Sequence, residues 1–309
     1  MENFSDKNRH NVELRSTFSP EEMSSPNFIP DSKNVNEAMS KIFRNTLILD
    51  VIFAKLDVPD LKTCRPVCQD WADVGATFLG KRTIFRLNEI FTYTEPNFDE
   101  MPPINDKLMR RVLLSDNCHS SIPSLDKKAE VFTKTFSQLT KVSRLIQEIN
   151  FVTRQTELVP IYLEGFRALR CTKIEKISIH CDQTKLNTIP AEAFQKLPPQ
   201  PGLTSLKCII HSSCRRSPRS PDIQPLLQIW IDSAPNLTTL DAMAFLYPNL
   251  EGCKNLKVLK FRLMTHFGDL GSLYLRNVTK MLGQVKDSLI ELELGNWLPQ
   301  YESMGQVKV

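Results

Sequence analysis

The chain has 309 residues, 41% hydrophobic and 24% charged, with a formal net charge of +4, the balance of one or two globular domains. It has no run of about 18 or more apolar residues to cross a bilayer as a helix. So small a net charge on so long a chain argues for no nucleic-acid partner.

Residues 1–41 are rich in Ser, Asn, Pro and acidic groups and poor in periodic apolar positions, the composition of a disordered tail. The opening MENFSDKNRHNVELR is polar and lacks the apolar stretch of a signal peptide. The expectation is a chain of the cytosol or nucleus. Its eight cysteines show no close paired spacing and in a reducing compartment pack as small hydrophobes. In such a compartment the sequons at Asn236 and Asn277 never meet the glycosylation machinery. Ser19-Pro20 and Ser25-Pro26 suit proline-directed kinases, but a spacer is the plainer role for this tail.

Ile48, Leu49, Ile52, Phe53 and Leu56 follow the spacing that lines one stripe of a helix, which predicts a helix over 47–56. Asp57 offers an N-cap oxygen with Asp60 three residues on, and Pro59 is tolerated in a first turn. Pro66 would break a continuous helix, giving a second helix over 60–65 and a third over 67–76 that carries Val67, Cys68, Trp71 and Val74. Three short helices in some 35 residues are too few to enclose a core. Burying each apolar side chain is worth about 1.5–3 kcal/mol, so the surplus calls for the rest of the chain or another protein.

The order Ile52-Phe53, Leu56, Pro59-Asp60-Leu61, Cys64-Arg65, Val67-Cys68 and Trp71 resembles an F-box. The chain departs from that motif at Asn45-Thr46, where Leu-Pro often stands, and at Pro66. The resemblance implies a three-helix module over 42–82 that docks the Skp-type adaptor of a cullin-RING ubiquitin ligase. Leu49, Ile52, Phe53, Leu56, Pro59, Leu61, Val67, Cys68 and Trp71 would carry the docking or hold its surface in shape. Truncating Phe53 is expected to cost about 2 kcal/mol or more, as interface anchors do. The plain alternative is a helical hairpin that caps a larger domain.

Residues 83–108 read as a connector, with a strand over Thr83 to Leu87 and a surface loop over Pro96 to Pro103. From 109 onward an apolar residue, two spacers, an apolar residue, one spacer and an apolar residue recur. The instances are Met109/Val112/Leu114, Ile146/Ile149/Phe151, Ile174/Ile177/Ile179, Leu203/Leu206/Cys208, Leu237/Leu240/Ala242, Leu256/Leu259/Phe261 and Leu289/Leu292/Leu294. Their first residues lie 37, 28, 29, 34, 19 and 33 apart, which resembles degenerate leucine-rich repeats. Only Asn117 occupies the asparagine position of that family; Asp182, His211, Phe245, Met264 and Trp297 stand there instead. Helical spacing lies between the strands: Ala129 to Ile146, Leu158 to Leu169, Leu226 to Ile231 begun by Asp222 and Pro225, and Tyr274 to Val285. Alternating strands and helices predict a curved solenoid, strands on the concave face. The 19-residue step means either a truncated repeat or a slipped register.

Glycine-rich phosphate and dinucleotide loops, the G-x-S-x-G turn and H-E-x-x-H are all missing. Cys208, His211 and Cys214, with His180 and Cys181, have spacings that zinc tolerates, but Cys208 belongs to a core-facing strand position. Packing is the preferred reading, with no metal and no cofactor expected. Arg215-Arg216-Ser217-Pro218-Arg219-Ser220-Pro221 reads either as a solvated insertion or as a loop for an acidic or phosphorylated partner, regulated at Ser217 and Ser220.

The expected architecture is α/β: tail 1–41, F-box module 42–82, connector 83–108 and a leucine-rich-repeat-like substrate-binding domain over 109–309. The expected function is the non-catalytic substrate-recognition subunit of a Skp-cullin-F-box type ubiquitin ligase, holding a protein target of unknown identity and touching neither nucleic acid nor membrane. Two alternatives stay open: a repeat scaffold without ligase, capped by the N-terminal helices, and an enzyme built on the His/Cys cluster.

Overall fold

A computed structural model describes residues 41–87, 105–116, 124–169, 173–183, 189, 191–212, 224–244, 247–264 and 272–297. Two compact units divide the chain, Met1–Asn45 and Thr46–Val309; in the first, the Asn45 amide donates to the Ile42 carbonyl at 3.1 Å. The tail to residue 40, the 96–103 loop, Asn117, Cys214, Asp222, Ser217 and Ser220 lie outside the described residues.

The second unit is mixed α/β. It opens with α1 (Thr46–Lys55), α2 (Val58–Cys64) and α3 (Gln69–Arg82). The turn into α2 forms as its side chains dictate: Asp57 Oδ1 accepts the Asp60 amide at 2.9 Å, and Pro59 sits in the first turn, where no intrahelical acceptor is lost. The helix therefore starts two residues earlier than the expected 60. The chain turns through Pro66 and Val67 and is extended at Cys68, so α3 starts at Gln69 and runs six residues beyond the expected 76. Val67 and Cys68 belong to the turn, not to the third helix.

The rest is one eight-stranded parallel sheet in sequence order: β1 (Phe85–Arg86), β2 (Arg111–Ser115), β3 (Glu148–Thr153), β4 (Lys176–Gln183), β5 (Ser205–Ser212), β6 (Thr239–Ala244), β7 (Val258–Met264) and β8 (Glu291–Trp297). Each apolar triplet from the sequence falls in register. Val112, Ile149, Ile177, Leu206, Leu240, Leu259 and Leu292 pair in one column, and Leu114, Phe151, Ile179, Cys208, Ala242, Phe261 and Leu294 in the next. The leading members from Met109 to Leu256 are buried under the start of each strand.

One device repeats at every step from β2 to β8. Two successive amides donate to a single carbonyl of the preceding unit: Gln147 and Glu148 to Arg110, Glu175 and Lys176 to Gln147, Thr204 and Ser205 to Glu175. Thr238 and Thr239 to Thr204, Lys257 and Val258 to Thr238, and Ile290 and Glu291 to Lys257 continue the series, all at 2.8–3.0 Å. The triplet spacing sets this phase, because each turn then delivers its amides at the same height as the last.

Helices α4 (Leu125–Val142), α5 (Val159–Ala168), α6 (Gln224–Ser233) and α7 (Ser272–Gly283) cover one sheet face. Phe132, Phe136, Phe151, Tyr162, Phe166 and Trp230 interlock there with ring centroids 4.4–6.2 Å apart. The first of these helices ends at Val142 and not at the expected Ile146, which instead leads into β3. A Cβ on Gly165 would run into the Phe136 ring, so glycine is what lets α5 approach α4 this closely. No helix occurs among the described residues between β6 and β7, which explains the 19-residue step: the repeat is truncated and the register is right. In its place Gln228 and Gln284 stitch the 249–250 backbone, Gln228 Oε1 accepting the Asn249 amide at 2.9 Å and Gln284 Oε1 the Leu250 amide at 2.8 Å.

Among the described residues no helix is long and apolar enough to cross a membrane.

Candidate functional site

The nine residues singled out in α1–α3 separate into three groups. Leu49, Phe53 and Leu61 are fully buried and, with Val74 and Leu79, form a small core of their own. Phe53 meets Trp71 edge to face at 5.3 Å. The expected loss on truncating Phe53 is therefore a core cavity rather than a lost interface anchor. Ile52, Leu56 and Trp71 are half-buried against the same core, and Pro59, Val67 and Cys68 face solvent.

The apolar surplus expected from the sequence lies on the other side of α1, at residues that reading did not single out. Leu47 and Val51, one helical turn apart, are 73% and 68% exposed, and Val67 is 63% exposed. α1 is thus apolar on two faces, and the core takes only the one that carries Leu49 and Phe53. A helix apolar all round is normally enclosed on all sides. The signal was present in TLILDVIFAK, whose only charged residues are Asp50 and Lys55.

The three helices are joined firmly to the sheet. A Cβ on Gly80 would collide with the Lys107 carbonyl, so α3 lies directly on the turn at Asp106–Leu108, and Leu108 packs into the helical core. Lys107 Nζ stands 3.5 Å from Asp73 Oδ2. The Arg82 guanidinium donates to the Ala54 and Leu56 carbonyls at the end of α1, where a cation suits the negative helix terminus.

The sheet face turned away from the helices carries charge. Arg111 holds Glu148 through two hydrogen bonds, at 2.8 and 3.2 Å. Burial raises the Glu148 pKa, but the hydrogen bonds from Arg111 and Asn150 and the charges of Arg111 and Lys176 outweigh it, leaving the carboxyl below its ordinary range. At the far end Lys207 and Arg262 flank Asp241 at 3.6 and 3.7 Å, Arg262 reaches Glu293 at 3.3 Å, and Lys260 reaches Glu291 at 2.8 Å and Glu293 at 3.7 Å. His180 sits between Val152 and Ile209 on this face.

Cys208 and Cys181 point into the core, 0% and 2% exposed. Burial pushes the Cys208 thiol well up and takes Cys181 to about 12, so both pack as protonated thiols. Among the described residues no group of three or more His, Cys, Asp or Glu side chains is placed to hold a metal ion.

Asp116 also escaped the sequence reading. Its buried carboxylate accepts from Thr153 Oγ1 at 2.7 Å and from the Arg154 and Gln155 amides at 2.9 and 3.1 Å, fixing the turn that leads into α5. Asn117, the expected ladder position, is its neighbour in sequence.

Compared with family models and with curated proteins, the chain matches neither.

Proposed function

We propose that this chain is the substrate-recognition subunit of a Skp-cullin-F-box type ubiquitin ligase. In this reading α1–α3 are an F-box module that docks the Skp-type adaptor, and the strand-helix units are a leucine-rich-repeat-like solenoid whose open sheet face holds a protein target. The observation that carries it is the second apolar face of α1: exposed Leu47 and Val51 lie opposite a core already filled by Leu49 and Phe53. Together with Val67 they offer apolar surface to a partner, where each anchor buried is worth about 2 kcal/mol or more. The chain would supply no catalytic group. It would raise the effective concentration of a target lysine beside a thioester carried by other subunits.

The capping alternative also has an observation in its favour, since α3 is followed directly by β1, the first strand of the sheet. A cap accounts for that joint but leaves the outer face of α1 without a purpose.

Co-purification with a Skp-type adaptor distinguishes the two. Leu49→Asp and Phe53→Asp are unsuitable, because both side chains are in the core and their loss would unfold the module. The informative variant is Val51→Asp with Val67→Asp, checked for an unchanged circular dichroism spectrum. The native chain is expected to retain the adaptor and the variant to lose it. Failure of the native chain to bind would hand the case to the capping scaffold, and equal binding by both would place docking elsewhere.

A further inference from the structure

The last strand breaks a rule that β2 to β7 obey. In the column from Val112 to Leu259 each member is at most 2% exposed, yet Leu292 is 45% exposed. In the neighbouring column the members from Leu114 to Phe261 reach at most 5%, against 40% for Leu294, and Ile290 beside them is 79% exposed. Nothing among the described residues pairs with the outer side of β8. The carbonyl series of Arg110, Gln147, Glu175, Thr204, Thr238 and Lys257 leads next to Ile290, and no described donor reaches that oxygen. On the opposite face Glu291 and Glu293 end their columns, held from one flank by Lys260 and Arg262.

We infer that the outer edge of β8 accepts an extended protein segment in which basic residues alternate with apolar ones, added as a ninth parallel strand. The first four side chains of β8 alternate carboxylate and leucine, so a strand of matching period sets a cation beside Glu291 and Glu293 and an apolar group beside Leu292 and Leu294. Its first amides take the Ile290 carbonyl, repeating the device that joins every pair of units before it. A second copy of this chain fits worse. Two β8 strands laid antiparallel would set Glu291 and Glu293 against each other's counterparts, and like charges directly opposite destabilise a ladder. Binding of this kind draws affinity from the backbone and selectivity from alternate side chains. The surface lies at the other end of the sheet from α1–α3, so the inference stands whether or not the adaptor reading does.

The test is fluorescence anisotropy on the full chain with two labelled peptides, Thr-Lys-Val-Lys-Val-Lys-Thr and its counterpart with Glu in place of Lys. Native protein is expected to prefer the lysine peptide by about tenfold or more. Glu291→Lys with Glu293→Lys, checked by circular dichroism, should reverse that preference. Methylating the backbone amide of the middle lysine should weaken binding by removing a ladder donor, because a residue paired with Glu293 turns its amide toward β8 as Glu148 turns its own toward Arg110. The inference is overturned if native protein shows no preference, or if the double variant keeps the native one. It also falls if the free chain dimerises through β8 in sedimentation, or already protects its β8 edge amides from hydrogen exchange.

Discussion

The three-helix region and the sheet solve the same problem in different ways. The helices enclose a closed core of a few side chains, Leu49, Phe53, Leu61, Val74 and Leu79, and whatever apolar surface exceeds that core is left outside on α1 and at Val67. The sheet has no closed core; each strand lends its apolar columns to the next, so burial continues until the strands stop. Among the described residues of the second unit, apart from Leu125, the large exposed hydrophobics therefore gather at its two ends, among residues 47–84 and 290–294. A closed core limits its own size by geometry, whereas a stacked one always leaves a final unit incomplete.

The comparison breaks most visibly at Phe53. Phe53→Ala is expected to cost about 3–5 kcal/mol through the cavity it opens, with the loss of hydrogen-exchange protection confined to 46–82. Loss that spreads at once through the strands would mean that the two cores melt as one. Next in size is a matched pair in one column. Leu240→Ala should cost about 2–5 kcal/mol and the half-exposed Leu292→Ala about 1 kcal/mol or less, read from denaturant midpoints. Equal costs would remove the distinction between inner and terminal strands.

The joint comes third. Gly80→Ala forces α3 off the Lys107 carbonyl and should cost about 1–3 kcal/mol. Proteolysis of the variant should open the segment between α3 and β2 before either core. The smallest effect concerns acid. Glu148 has a lowered pKa in the folded chain, so it adds stability above the pKa of the unfolded chain, and that share is lost as pH falls through the lower folded value. Glu148→Gln should therefore flatten the acid limb of stability against pH while leaving the helical region unchanged, which thermal scans at several pH values would read.

Much of the fold was written in local spacing. The triplets set the strand phase and register, Asp57 and Pro59 set the start of α2, and the 19-residue step left two readings, a truncated repeat or a slipped register. These features depend on residues a few positions apart, where periodicity and capping chemistry act directly. What the sequence left open was which apolar residues would be covered. Leu49 and Val51 are alike as side chains, and only the arrival of α3 puts one inside and one outside. Gly80 and Gly165 are silent in sequence because their reason is the distance to Lys107 and Phe136. Asp116 gains its role from a turn 37 to 39 residues further along the chain, and Lys260 meets Glu291 only across neighbouring strands. Periodicity fixes the direction a side chain points relative to its own element; what stands opposite it is decided when distant elements pack together.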